Sequence, residues 1–269
     1  MDVNVESLVT SIRKSRKYRV IAPETIRFLA QEEWDRHRSV KEVEQAVRKR
    51  LHNIVASFLG DPDYKEAAVA LKSAFVREDN EVEREACIQV MSRHISTRER
   101  LPILKAFYRD IFRITGKPRI ILDIACGLNP IAFPWMDLPV TTLYHAYDIH
   151  QERVDFINLY FTLEGLPPLA HIQDVAVNMP QEEGDVVFFF KELHRFEENY
   201  QGRGLLLLEN LHARYLIVSF PAISLQGGRS LVKIYRLFMQ EMIAGKGWPS
   251  QELLYANELV FVLDKGSVS

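Results

Sequence analysis

After residue 117 the chain repeats one pattern, and that pattern limits its fold more than any other feature. A short, nearly continuous apolar run ends at an acid or a turn, and a helical stretch follows. Arg119–Ile124 (RIILDI) is the first run. TTLYHAYD then runs to Asp148, LAHIQD to Asp174, DVVFFF to Phe190, RYLIVSF to Phe220 and ELVFVLD to Asp264. Runs of this length and density suit strands buried on both faces of a parallel sheet. Helical stretches between the first five runs predict a doubly wound α/β sheet of Rossmann type.

Residues 1–117 contain no such run and read as helices only. Ser39 and Glu42 form a capping-box pattern before VKEVEQAVRKRLHNIVASFL, in which Val43, Val47, Leu51, Ile54 and Phe58 recur at helical spacing. Asp61-Pro62 reads as an N-cap with proline at the first helical position. Ser96 and Glu99 repeat the capping box, and Gly116 suits a C-terminal stop. The expected organisation is an all-helical segment over residues 1–117 followed by an α/β domain over 118–269.

With 47% apolar residues among 269, the chain can bury a sizeable core. Cys87 and Cys126 have neither disulfide-type nor metal-type spacing, and no His/Cys/Asp cluster has ligand spacing, so no metal is expected. No signal-peptide stretch opens the chain and no apolar run approaches a membrane span, so a cytoplasmic protein is expected. Net charge is only −2, but it is unevenly spread: residues 1–60 carry 12 Lys/Arg against 8 Asp/Glu, and residues 119–269 carry 11 against 18. A basic front end on an acidic body points to a polyanionic partner.

Ligands of an open parallel sheet bind beyond the carboxyl ends of its strands, so the residues just after each run are the informative ones. The first run ends in Asp123-Ile124-Ala125-Cys126-Gly127, whose small residues admit a close ligand. Asp148 follows 21 residues after Gly127, a distance at which an acid can hold both hydroxyls of a nucleoside ribose. Gln173-Asp174 ends the third run, where a carboxylate can meet an adenine amino group. The loop lacks G-x-G-x-x-G, which disfavours a dinucleotide. Acids at three successive strand ends suit a cationic nucleoside instead.

DIACGLNP at Asp123–Pro130, YDIHQ at Tyr147–Gln151, QDV at Gln173–Val175 and SFP at Ser219–Pro221 together resemble the aminoglycoside-resistance 16S rRNA methyltransferases of the Arm/Rmt type. SRKYR at Ser15–Arg19, EEWDRHRS at Glu32–Ser39, RKRLHNI at Arg48–Ile54 and STRERL at Ser96–Leu101 extend the likeness, in order, over most of the chain. The resemblance implies a class I S-adenosylmethionine-dependent methyltransferase acting on guanine N7 in the decoding site. Its substrate would be the helix 44 region of 16S rRNA within the 30S subunit.

It further implies that Arg100 (or Arg98 beside it) meets the cofactor carboxylate. Ala125 and Gly127 would line the methionine part, Asp148 and Ile149 the ribose, and Gln173 and Asp174 the adenine. Lys191 would stand at the target-facing edge, touching cofactor or target, and Phe220 would stack on the target base, with Tyr64, Phe107 and Tyr108 as other aromatic candidates. Arg13, Lys14, Arg16, Lys17, Arg19, Arg48, Lys49 and Arg50 would dock on RNA. The chain departs from the family at Ile223, where a basic residue is usual, and around Gln226–Arg229. A small-molecule methyltransferase, a non-catalytic RNA-binding relative and an NAD enzyme are the competing readings.

Overall fold

The computed structural model describes residues 2–55, 61–200, 202–224 and 227–266. Among the described residues seven α-helices precede the sheet: α1 (Asp2–Arg13), α2 (Pro23–Trp34), α3 (Val40–Val55), α4 (Tyr64–Phe75), α5 (Asn80–Arg93), α6 (Ile95–Arg100) and α7 (Leu104–Thr115). Then come β1 (Ile120–Ile124), β2 (Leu143–Asp148), α8 (Gln151–Glu164), β3 (Ala170–Ile172), β4 (Gly184–Phe190), α9 (Leu193–Tyr200), α10 (Arg203–Asn210), β5 (Ala213–Pro221), α11 (Val232–Met242), β6 (Ser250–Leu254) and β7 (Glu258–Asp264).

The six apolar runs all form strands, in one seven-stranded sheet of order β3-β2-β1-β4-β5-β7-β6. Neighbours among β1 to β5 pair in parallel, and β7 pairs antiparallel with β5 and β6. β6 was not foreseen. Its residues are mostly exposed, so an edge strand that buries little leaves no apolar signature.

Local chemistry sets most helix ends. Ser39 Oγ accepts from Glu42 N at 3.3 Å, and Glu42 Oε2 accepts from Ser39 N at 3.1 Å, as the capping box predicts. Gly116 stops α7 at φ +76°. Two predicted caps fail. Asp63, not Asp61, caps α4 by accepting from Lys65 N and Glu66 N, because Asp61 is drawn away to Arg153. Ser96 lies inside α6 and makes no cap, while Glu99 reaches across to Lys191 at 2.7 Å. Phe58 and Gln226 lie outside the described residues.

Strand alternation gives the sheet two apolar faces. Leu122, Ile124, Val187, Phe189, Leu216 and Val218 pack with α1 to α3 and with α9 and α10. Ile121, Tyr144, Ala146, Val186, Phe188 and Ile217 pack with α4, α5, α7 and α8. The N-terminal helices therefore complete both cores. Strand order reverses between β1 and β4, and the carboxyl ends of β1 to β4 open at this switch point.

Candidate active site

A cavity of roughly 300 Å³ occupies the switch point. Arg100, Ala125, Gly127, Asp148, Ile149, Gln173, Asp174 and Lys191 all line it, so the eight residues predicted for the cofactor converge on one space. The loop after β1 is shaped for close approach. Ala125 and Gly127 both adopt left-handed backbone, at φ +50° and +54°. A Cβ on Gly127 would stand 2.9 Å from His94 Cε1, so glycine is required by conformation and by space. Burial holds that imidazole neutral, lowering its pKa to about 4.

Asp148 sits at the end of β2, 3% exposed. Its Oδ2 accepts from Gly127 N at 3.1 Å and Arg153 Nη1 at 2.7 Å, and its Oδ1 accepts from His150 N at 2.9 Å. Of about four lone-pair sites on a carboxylate, one on Oδ1 is left by these bonds. The geometry thus suits one ribose hydroxyl rather than the two the sequence suggested. Arg153 was not foreseen. It lies on the first turn of α8, 1% exposed, and also bonds Asp61 Oδ2 at 2.7 Å and Tyr64 Oη at 3.0 Å. Its only sequence signal is its place five residues after Asp148, one turn into the following helix.

A second buried network lies on the opposite wall. Arg100, 1% exposed, gives Nε and Nη2 to Glu258 and Nη1 to Asn129 Oδ1 at 2.7 Å. These bonds use one hydrogen from each nitrogen, three of the five donors of a guanidinium. Lys191 Nζ lies 2.7 Å from Glu99 and 3.3 Å from Glu258, whose Oε1 also accepts from Ser219 Oγ. Burial raises the Glu258 carboxyl, but Arg100 and Lys191 outweigh it and hold it below the usual range. Arg98 points to solvent. The signal missed for Glu258 is an acid opening an otherwise apolar strand.

At the β3 end, Asp174 Oδ2 accepts from Tyr200 Oη at 2.8 Å and Oδ1 from Ala176 N at 3.0 Å, while Gln173 Nε2 donates to Asn178 O. Asp123, the first of the three strand-end acids, is not on the cavity wall. It is 1% exposed beneath it, bonded to Tyr144 Oη and Asn129 Nδ2, and burial pushes its carboxyl up to about 7.

A family model described as "Ribosomal RNA methyltransferase (FmrO)" matches residues 14–262. The chain belongs to this family. A relative from Micromonospora echinospora named 16S rRNA (guanine(1405)-N(7))-methyltransferase is 33% identical, over 97% of each chain. The solved 16S rRNA methylase RmtB aligns with a TM-score of 0.82 at 30% identity, covering 97% of this chain and 98% of its own. The 16S rRNA methyltransferase RmtF, solved in complex with S-adenosyl-L-homocysteine, aligns at 0.81 and 29%, covering 99% and 100%.

In this rRNA methyltransferase the expected stacking aromatics are core residues. Phe220 is fully buried and stacks on Tyr235 at 4.6 Å, turned from the cavity that its neighbour Pro221 lines. Phe107 and Tyr108 are fully buried as well, and the Tyr64 hydroxyl is spent on Asp61. The aromatic walls are instead Tyr147, Phe190, Phe196 and Tyr200.

The basic residues divide. Arg13, Lys14, Arg16, Lys17, Arg19 and Lys49 are exposed. Arg48 is half-buried and paired with Glu44. Arg50 leaves the docking set: it pairs with Glu32 and Glu33 and donates to Asn199 O, tying α3 to α2 and α9. Ile223 stays exposed, in a bridge with Ser230. Contrary to the expectation of no metal-type cluster, the fold brings together His145, His171 and Glu182. Their sequence spacings of 26 and 11 residues hide this. Among the described residues no helix is long and apolar enough to cross a membrane.

Proposed function

We propose that this methyltransferase transfers the methyl group of S-adenosyl-L-methionine to N7 of guanine 1405 in 16S rRNA, within the 30S subunit at helix 44, and so confers aminoglycoside resistance. The convergence of eight strand-end and α6 residues on one cavity carries this reading. The polar groups fit the cofactor part by part. Arg100 brings a guanidinium to the wall for a carboxylate, Asp148 keeps an Oδ1 lone pair for a ribose hydroxyl, and Gly127 adds no side chain to the loop. Asp174 retains acceptor capacity on each oxygen for an amino group.

S-adenosylmethionine, when bound, supplies an electrophilic methyl group on a sulfonium centre. Guanine N7 presents a lone pair on the major-groove edge, so no protein base has to remove a proton. The chain's task is positioning, bringing N7 and the methyl carbon into line. Lys191, paired with Glu99 and Glu258, stands at the β4 end as a fixed hydrogen-bond donor. A stacked base is out of reach of such a cavity, so the target nucleotide has to leave its helix. The same reading makes residues 1–117 the rRNA-docking part, through Arg13, Lys14, Arg16, Lys17, Arg19 and Lys49, and residues 118–269 the catalytic part. It places the protein in the cytoplasm with its ribosomal substrate.

The test is tritiated methyl transfer to purified 30S subunits, free 16S rRNA and no RNA, with primer extension after chemical cleavage at N7-methylguanine. Transfer to 30S subunits with one stop at guanine 1405, and growth of the expressing strain on kanamycin and gentamicin, are expected. A stop at another base, or none, overturns the assignment.

A further inference from the structure

β2 and β3 carry a polar cluster that the methyl-transfer reading does not use. Alternation along β2 puts His145 and Tyr147 on one face, and parallel register sets His171 of β3 opposite Tyr147. Glu182, in the connection to β4, folds back over them. All three candidate ligand side chains are half-buried, at the open edge of the sheet.

We propose that His145, His171 and Glu182 form a binding site for one divalent transition-metal ion of the zinc class. One donor atom from each residue lies within 4.8 Å of the other two. His145 Nδ1 and His171 Nε2 are 3.4 Å apart. Two nitrogens at about 2.0–2.1 Å from a tetrahedral zinc stand about 3.3–3.4 Å apart. Two imidazoles and a carboxylate are a common zinc donor set, with the fourth position left to water.

The surroundings hold these donors in place. Tyr147 Oη donates to Glu182 Oε2 at 2.7 Å, and Gln181 N donates to the same oxygen, so Oε1 is not spent on either bond. Such a hydrogen bond orients a ligating carboxylate. Tyr147 also stacks on the His171 ring at 5.1 Å and 22°.

The site's place gives it a consequence. β3 is three residues long, and its next residues, Gln173 and Asp174, line the cofactor cavity. An ion bridging His145 on β2 to His171 on β3 fastens this short edge strand to the sheet.

The full-length protein, stripped with a chelator and dialysed, is titrated with zinc chloride by calorimetry and with cobalt(II) by visible absorption. The expected result is one ion per chain, four-coordinate cobalt bands and a zinc-induced rise in melting temperature. His145→Gln, His171→Gln and Glu182→Gln should each weaken zinc by more than the roughly 10- to 100-fold that loss of a ligand's hydrogen-bond partner costs. His37→Gln, at a half-exposed histidine in the α2–α3 connection, should bind as wild type. If a histidine variant fails to fold in the chelator, Glu182→Gln, altered only in a connection, decides the matter. Absence of stoichiometric uptake, or uptake unchanged in Glu182→Gln, overturns the site. None of these readouts depends on methyl transfer.

Discussion

Arg153→Met should destabilise the protein more than Asp148→Asn, although Asp148 is the proposed ribose contact. Asp148 and Arg153 are 3% and 1% exposed and 2.7 Å apart. Breaking a buried pair by removing one partner costs about 3–5 kcal/mol, because the other charge is left uncompensated. Asparagine at 148 keeps the side-chain shape and one oxygen, which can accept from either Gly127 N or His150 N but not both, and Arg153 still has Asp61. Its cost belongs near the lower end, about 3 kcal/mol. Methionine at 153 strips the counter-charge from both Asp148 and Asp61, whose Oδ1 is already buried without a hydrogen-bond partner among the described residues, so about 5 kcal/mol is expected. Against a total of about 5–15 kcal/mol, that is a large fraction. The double variant should recover part of the sum, with a coupling of about 0.5–3 kcal/mol. Urea denaturation followed by tryptophan fluorescence gives the stabilities, and calorimetry with S-adenosylmethionine gives the affinities. Asp148→Asn should bind about 5- to 30-fold more weakly, as a charge-assisted bond becomes a neutral one. Arg153→Met leaves that acceptor in place and should lose less than tenfold. If Arg153→Met costs less than about 1 kcal/mol, or no more than Asp148→Asn, the arginine is not the central counter-ion and the reasoning fails.

His94 gives a pH signature. Its folded pKa of about 4 lies below the ordinary 6.5, so the unfolded chain binds a proton that the folded chain refuses between those values, and stability is lost as pH falls from 6.5 to 4. Asp123, raised to about 7, acts in the opposite sense, so the readout is the difference between wild type and His94→Gln, about 3 kcal/mol across the window by urea midpoints; parallel curves would refute a buried neutral histidine. Gly127→Ala should lose about 1–2 kcal/mol to left-handed backbone, plus the His94 contact, and should bind cofactor poorly. His94→Ala in the same chain should relieve the contact but not the backbone term, and a single variant that melts as wild type would remove the steric argument. Lys14→Glu with Lys17→Glu should weaken 30S binding and lower the slope of log affinity against log salt by about 1–2, with S-adenosylmethionine affinity unchanged; filter binding at several salt concentrations that shows no difference puts the docking surface elsewhere.

What was legible in the sequence was what repeats or ends an element. Buried strands announce themselves by apolar density, so β1 to β5 and β7 were readable, and parallel-sheet geometry then named the residues beyond their ends as the cavity wall. Capping boxes were ambiguous, since Ser39–Glu42 and Ser96–Glu99 have the same spacing and only the first forms a cap. The missed ion pairs share one physical cause. Asp61, Glu99 and Glu258 take partners 92, 92 and 158 residues away in Arg153, Lys191 and Arg100, and spacing rules see only near neighbours. Aromatic type likewise says nothing of direction. Phe190 and Phe220 each lie near the carboxyl end of a strand, yet only Phe190 lines the cavity.

The basic segment and the cofactor cavity are mechanically close. Arg13 to Arg19 run into Val20, Ile21 and Ala22, which pair with the residues just beyond Asp148: Ala22 N donates to Ile149 O and Gln151 N to Val20 O, each at 2.8 Å. Arg13 itself donates to Arg19 O, closing the basic turn on its own backbone. Ile149 and Asp148 both line the cavity, so its wall is hydrogen-bonded to the segment that follows the cationic patch. Backbone bonds of this kind transmit position, because a shift of the patch along the chain has to break them or move Ile149. On the proposed reading, an RNA surface gripping Arg16 and Lys17 therefore bears on the same few residues that line the cavity.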